Sequence, residues 1–113
     1  MSLVDPLLAA HPFVLIDGGM GQELIRRGVS NTSRLWSAQA LIDDPDMVIG
    51  VHRDYVAAGA DVIITNSYST NGNRLRDMGM EDQIAPMNQK AGELARQAAE
   101  EVDRPVIVMG SLP

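Results

Sequence analysis

The stretch FVLIDGGMGQEL, residues 13–24, sets one carboxylate, Asp17, directly before three closely spaced glycines. An aspartate in that place accepts hydrogen bonds from a ligand ammonium group. The N–H groups of Gly18, Gly19 and Gly21, unencumbered at the start of a helix, face a ligand carboxylate. Together they read as a clamp for a small zwitterion. A plainer use is equally open: Asp17 caps the helix that follows, and the glycines make a tight turn. Read for glycines alone, Gly19-Met20-Gly21 opens a near match to a dinucleotide fingerprint, with Asp43 and Asp44 about twenty residues on, where an acid binds ribose. Two features oppose that match. Leu24 stands where the third glycine belongs, and Asp17 places negative charge beside the pyrophosphate's position.

Other side chains have narrower possibilities. Trp36, the only tryptophan, sits in SRLWSAQAL, where it either anchors a loop or walls an apolar or cationic ligand group. Asn66 either bonds a ligand or closes its own loop as an Asx turn. Tyr68 lies in a strand-end loop, where binding residues concentrate. His11 and His52 have no acidic or histidine partner at metal-ligand spacing and read as ordinary residues, His52 beside a buried helix stripe. Glu23 and the acids near Glu100 read as solvated helix surface. The sequence holds no Ser-His-Asp arrangement, phosphate-binding loop or zinc-ligand cluster. No catalytic or metal-ligating residue is therefore assigned.

The elements that position these groups follow from hydrophobic pattern. FVLID, DVIITN and PVIVMG are rich in Val and Ile and do not alternate with polar residues. Such runs suit parallel strands buried on both faces, at about 13–17, 61–66 and 105–110. Between them, Asp44-Pro45 starts a helix over about 45–58 that Gly59 ends. Its buried stripe is Met47, Val48, Val51, Tyr55 and Ala58. Ile84, Met87, Ala91, Leu94, Ala95, Ala98 and Val102 mark a second helix, starting somewhere in 82–87 because of Pro86. Shorter helical pieces are expected at GQELIRRG and SAQALI, and TNGNRLRDMG reads as a βα loop with one helical turn. The order β-α-β-α-β belongs to the α/β class, doubly wound or part of a (βα)₈ barrel. In either architecture the site lies beyond the strands' C-terminal ends. There Asp17, Thr65 to Tyr68 and Gly110-Ser111 converge.

Composition narrows the class of function. With 113 residues, 45% of them apolar, the chain suits one globular domain or part of one. A net charge of −6 with a single lysine argues against nucleic acid and anionic membranes, which need a basic patch. No cysteine is present, so disulfides, thiolate metal ligands and a cysteine nucleophile are excluded within these residues. Residues 1–12 form an N-terminal extension without the basic region of a signal peptide. The expectation is a cytoplasmic protein.

LIDGGMGQELIRRGV, LWSAQAL and VHRDYVAAGADVIITNSYSTN, in that order, resemble the homocysteine S-methyltransferase family, and the likeness runs over about 13–113 to GSLP. The resemblance implies a (βα)₈ barrel and transfer of a methyl group from a small donor to homocysteine, giving methionine. It also implies a zinc ion that favours the substrate thiolate. By resemblance, Asp17 takes the substrate ammonium and Gly18-Gly19 line the amino-acid pocket. Asn66 and Tyr68 sit by substrate or donor, and Trp36 walls the donor side. The family's zinc ligands are three cysteines from the second half of the barrel, so none is carried over here. A barrel of this type takes about 250 residues. The expectation is therefore an N-terminal portion of the barrel, inactive by itself, in which a homo-oligomer is compatible with the sequence. Two other readings stand beside it: a nucleotide-binding oxidoreductase half-domain built on Gly19-Met20-Gly21, and a non-catalytic barrel fragment.

Overall fold

The computed structural model describes residues 2–30 and 32–112. Along the chain run α1 (Asp5–Ala10), α2 (Met20–Arg26), α3 (Ala40–Asp43), α4 (Pro45–Ala57), β1 (Val62–Ile64), α5 (Gly72–Asp77), α6 (Ile84–Glu100) and β2 (Ile107–Met109). Single 3₁₀ turns fall at Trp36–Gln39, Tyr68–Thr70 and Glu81–Gln83. The result is a helix-rich α/β arrangement around a short parallel sheet.

β1 and β2 pair in parallel, with Val62 opposite Ile107 and Ile64 opposite Met109. Both are shorter than the apolar runs that contain them. The third expected strand, 13–17, is reduced to one parallel bridge between Ile16 and Val62. The cause is local chemistry. Asp17 N–H bonds Val62 O at 2.9 Å and Val62 N–H bonds Leu15 O at 3.2 Å, which is one proper parallel rung. The rungs on either side go to side chains. The Asp61 carboxylate takes Leu15 N–H at 3.0 Å, and the Asp17 carboxylate takes Ile64 N–H at 3.0 Å. Two aspartates thus replace backbone carbonyls, and the regular ladder stops.

α4 begins as its sequence dictates. The Asp44 side chain accepts from Met47 N–H at 3.2 Å, and Pro45 occupies the first turn, where its missing N–H costs nothing. Gly59 follows with φ of 111°, a backbone state that side chains disfavour. Arg104 then donates to the carbonyls of Val56 and of Ala60, the latter at 3.1 Å, covering acceptors at that helix end. Asn71, in the expected βα loop, caps α5 through a 2.9 Å bond from Arg74 N–H. In α6, Pro86 lies in the first turn, where the helix tolerates it.

The core lies between the helices and one sheet face. Val48, Val51 and Val56 of α4 meet Met87, Ala91, Ala95 and Ala98 of α6 over Ile63. The alanine stripe lets the two helices approach closely, and both lie on the same side of the sheet. The expected α4 stripe needs correction. Ile49, His52 and Val56 are buried, whereas Tyr55 is only partly buried and Ala58 is exposed. α4 has α3 beside it as well as α6, so its buried arc is broader, and Tyr55 is drawn to the glycine loop. The opposite sheet face carries a smaller cluster, Val62 and Ile107 with Val14, covered by Val4 and Leu7 of the α1 region.

Candidate functional site

Beyond the C-terminal ends of the strands, a hollow of about 240 Å³ is lined by Asp17, Gly18, Ser37, Thr65, Asn66, Ser67, Tyr68 and Ser111, among others. Parallel pairing brings these segments together, because every strand ends on the same side. Asp17 is half-buried at its floor. One carboxylate oxygen is fixed by Ile64 N–H, and no ion pair to Asp17 occurs among the described residues. Burial raises the Asp17 carboxyl above the ordinary aspartate value, and the Ile64 N–H partly offsets this. A carboxylate without a cation, partly desolvated, favours a cationic ligand group as its partner.

A second hollow, about 460 Å³ and mostly apolar, adjoins the first and shares Gly21 and Ser37 with it. Gly19, Leu24, Ile25, Val29 and Trp36 line it. The six sequence candidates therefore divide. Asp17, Gly18, Asn66 and Tyr68 surround the first hollow, while Gly19 and Trp36 belong to the second, apolar one.

Each candidate is positioned by identifiable contacts. Gly18 lacks a side chain for reasons of space: a Cβ there would lie 2.7 Å from the Tyr55 hydroxyl oxygen and 3.1 Å from its ring. Tyr55 donates to Gly19 O at 3.1 Å, so α4 clamps the glycine loop from behind. Asn66 is buried and engages Ser37 twice, accepting from its hydroxyl at 3.1 Å and donating to its carbonyl at 3.0 Å. It closes not its own loop but the loop that carries Trp36. Tyr68 is exposed at the rim. Trp36 is 50% exposed, so it is no core anchor, and it has φ of 53°, the one positive value outside glycine among the described residues. The Arg74 guanidinium lies over its ring, 4.4 Å from the centroid.

Sequence reasoning missed Ser37, Tyr55 and Arg74. Ser37 adjoins Trp36 in LWSAQ and offered a signal by proximity. Tyr55 carries an α4 spacing that mimics a core position, and Arg74 acts across forty residues, which no local pattern reveals. His52, read as an ordinary residue beside the buried stripe, is itself fully buried, and burial holds its imidazole pKa down to about 4.

The described residues do not fit a zinc ion. No three of His, Cys, Asp or Glu among them converge as a ligand set, and the chain offers no thiolate. The imidazole of His52 is fully buried, with neither nitrogen bonded among the described residues.

Comparison with known proteins bears on the family. The family profile for homocysteine S-methyltransferase matches residues 14–113. The homocysteine S-methyltransferase of Escherichia coli is 38% identical over 95 residues, covering 83% of this chain and 31% of that protein. YbgG of Bacillus subtilis, a homocysteine S-methyltransferase, is 41% identical over 70 residues, 62% of this chain and 22% of its own length. A selenocysteine methyltransferase of Astragalus bisulcatus is 36% identical over 97 residues, 85% of this chain and 29% of its length. The crystal structure of the homocysteine methyltransferase MmuM from Escherichia coli, metallated form, superposes with a TM-score of 0.86 at 34% identity, covering 95% of this chain and 40% of that one. The chain thus spans between about a fifth and a third of the curated relatives it matches. With both the sequence match and the superposition extending over nearly all its residues, the chain belongs to the homocysteine S-methyltransferase family.

Proposed function

We propose that residues 13–112 form the amino-acid-binding side of an enzyme that moves a methyl group from a small donor to the sulfur of homocysteine, giving methionine. The observation that carries this is Asp17: a half-buried carboxylate, aimed by Ile64 N–H, with no cationic partner among the described residues, at the floor of a hollow sized for a small amino acid. Asp17 accepts from the substrate ammonium, and the backbone of Gly18 and Gly19 lets the amino-acid portion come close. The sulfur-bearing side chain then extends toward the apolar hollow under Trp36. In the transfer, the thiol gives up its proton, the new S–CH₃ bond forms from the thiolate, and the donor leaves with the electron pair of the bond to methyl that breaks. A shielded apolar wall suits that step because it keeps competing water from the reacting centre.

The fold reading is a portion of a (βα)₈ barrel. α4 and α6, the helices that lead into β1 and β2, share one face of the sheet, as barrel helices do. Over Val14, Val62 and Ile107 on the other face lie Val4 and Leu7 of the α1 region, which precedes every strand and is no crossover helix. A doubly wound sheet sets crossover helices on both faces. Leu24, where a nucleotide fingerprint needs glycine, is buried in the core. Zinc, implied by the resemblance, finds no ligand set among the described residues, so these residues by themselves are not expected to methylate homocysteine. We propose a cytoplasmic location, which the cysteine-free sequence supports.

Titration calorimetry with L-methionine and L-homocysteine tests the reading. The wild-type chain binds them in preference to NAD, and Asp17→Asn weakens binding about 10- to 100-fold, the range for a hydrogen bond to a charged group. Equal affinity of the two proteins, or preference for NAD, overturns it. Zinc-dependent methionine formation by the purified 113-residue chain would refute the inactivity expected of it.

A further inference from the structure

Trp36 holds a backbone conformation that costs energy for any residue but glycine, with φ of 53°. Something must secure it. Its indole lines the apolar hollow beside Gly19 and Gly21. Arg74 does not line that hollow. It lies with Arg34, Asn71 and Asp77 around a separate surface depression, and its guanidinium stacks 4.4 Å from the indole centroid. The guanidinium is itself fixed: Arg74 Nη1 donates to Arg34 O at 3.1 Å, two residues before Trp36. Its backbone N–H is held by the Asn71 cap at 2.9 Å, and Asn71 Nδ2 donates to Tyr68 O at 3.3 Å.

We propose that Arg74 is the positioning residue for Trp36. The guanidinium covers one face of the indole and ties the strained loop by its carbonyl. The opposite face is thereby presented as a fixed wall of the apolar hollow, where the methyl-bearing end of a sulfur compound lies. Through Asn71 the same helix touches the loop of Tyr68, so one short element sets the rims of both hollows. The ligand part of this inference rests on the function proposed above; the orientation of Trp36 does not.

Trp36 is the only tryptophan, so its fluorescence reports on this site alone. In ligand-free protein, iodide is expected to quench Trp36 more strongly than caesium, because the nearby cation attracts the anion. Arg74→Met is expected to reverse that preference and shift the emission maximum, and Arg74→Lys, which keeps the charge, to restore the order. Circular dichroism identifies any variant that fails to fold, in which case the Lys variant decides through the size of its shift. With L-methionine as the probe, wild-type emission changes on binding. Arg74→Met is expected to weaken that binding about 3- to 30-fold, the range of a partly desolvated cation–π contact. An unchanged spectrum and quenching order in Arg74→Met overturns the positioning role, whatever methionine does. Methionine affinity within twofold of wild type overturns the wall. If the quenching order reverses but methionine leaves wild-type emission unchanged, the orientation of Trp36 by Arg74 stands, and the amino-acid reading of the adjoining site fails instead.

Discussion

Protonation of His52 should limit the acid stability of this fold. The imidazole is fully buried in α4, and neither ring nitrogen has a hydrogen-bond partner among the described residues. Burial disfavours the charged form and holds the group from its ordinary 6.5 down to about 4. At neutral pH both folded and unfolded chains carry a neutral imidazole, and nothing is lost. Below pH 6.5 the unfolded chain takes up a proton that the folded chain refuses, so stability falls by about 1.4 kcal/mol per pH unit. The loss ends near pH 4, where the folded state also protonates, and it totals about 3 kcal/mol, a sizeable part of a small domain's stability. His52→Leu removes the effect at similar volume. Urea unfolding of both proteins at pH 7.5, 6.0, 5.0 and 4.5 measures it. At pH 7.5 the variant should be at least as stable as wild type, since it no longer buries unpaired nitrogens. Its advantage should then widen by about 2 to 3 kcal/mol toward pH 4.5. Other titrating groups, Asp17 included, cancel in the difference. Parallel stability curves across this range would refute the reasoning and imply that His52 is solvated or paired.

Gly18→Ala places a methyl 2.7 Å from the Tyr55 hydroxyl oxygen and should cost about 1 to 3 kcal/mol in urea unfolding; Tyr55→Phe in the same chain should recover part of that, a coupling that a double-mutant cycle reads directly. Asn66→Ala removes two bonds to Ser37 and should destabilise by about 1 to 3 kcal/mol, with a change in Trp36 emission because the loop it closes carries that residue. Methionine binding should weaken as pH falls, beginning above the ordinary aspartate value of 3.8 because the Asp17 carboxyl is raised. Calorimetry of Asp17→Asn should lose that pH dependence while the wild type keeps it.

Several parts of the fold and site were legible in order along the chain. Asp44-Pro45 and Gly59 bounded α4 because capping is local chemistry, and the α6 stripe from Met87 to Ala98 followed from helical periodicity. Two of the apolar runs contain β1 and β2. Asp17 was marked out because an acid at a strand end beside glycines has few uses, and Asn66, Tyr68 and Ser111 followed from the rule that parallel strands end on one side. Sequence alone also placed Trp36 in a loop turning into a helix.

Tertiary structure decided the rest, for a common reason: partners distant in sequence compete for groups that local pattern assigns elsewhere. The first apolar run lost its ladder because Asp61 and Asp17 supply side-chain oxygens where backbone carbonyls would pair. Tyr55, partly buried against the core, also presses on Gly18, and His52 is buried beside the expected stripe. Asn66 turned to Ser37, and Arg74 settled on Trp36. Residue types and spacing thus marked Asp17 and its glycines as the candidate site from which the amino-acid proposal starts. Only packing decided that two hollows would adjoin there, because Gly21 and Ser37, which they share, are brought together by contacts no single segment contains.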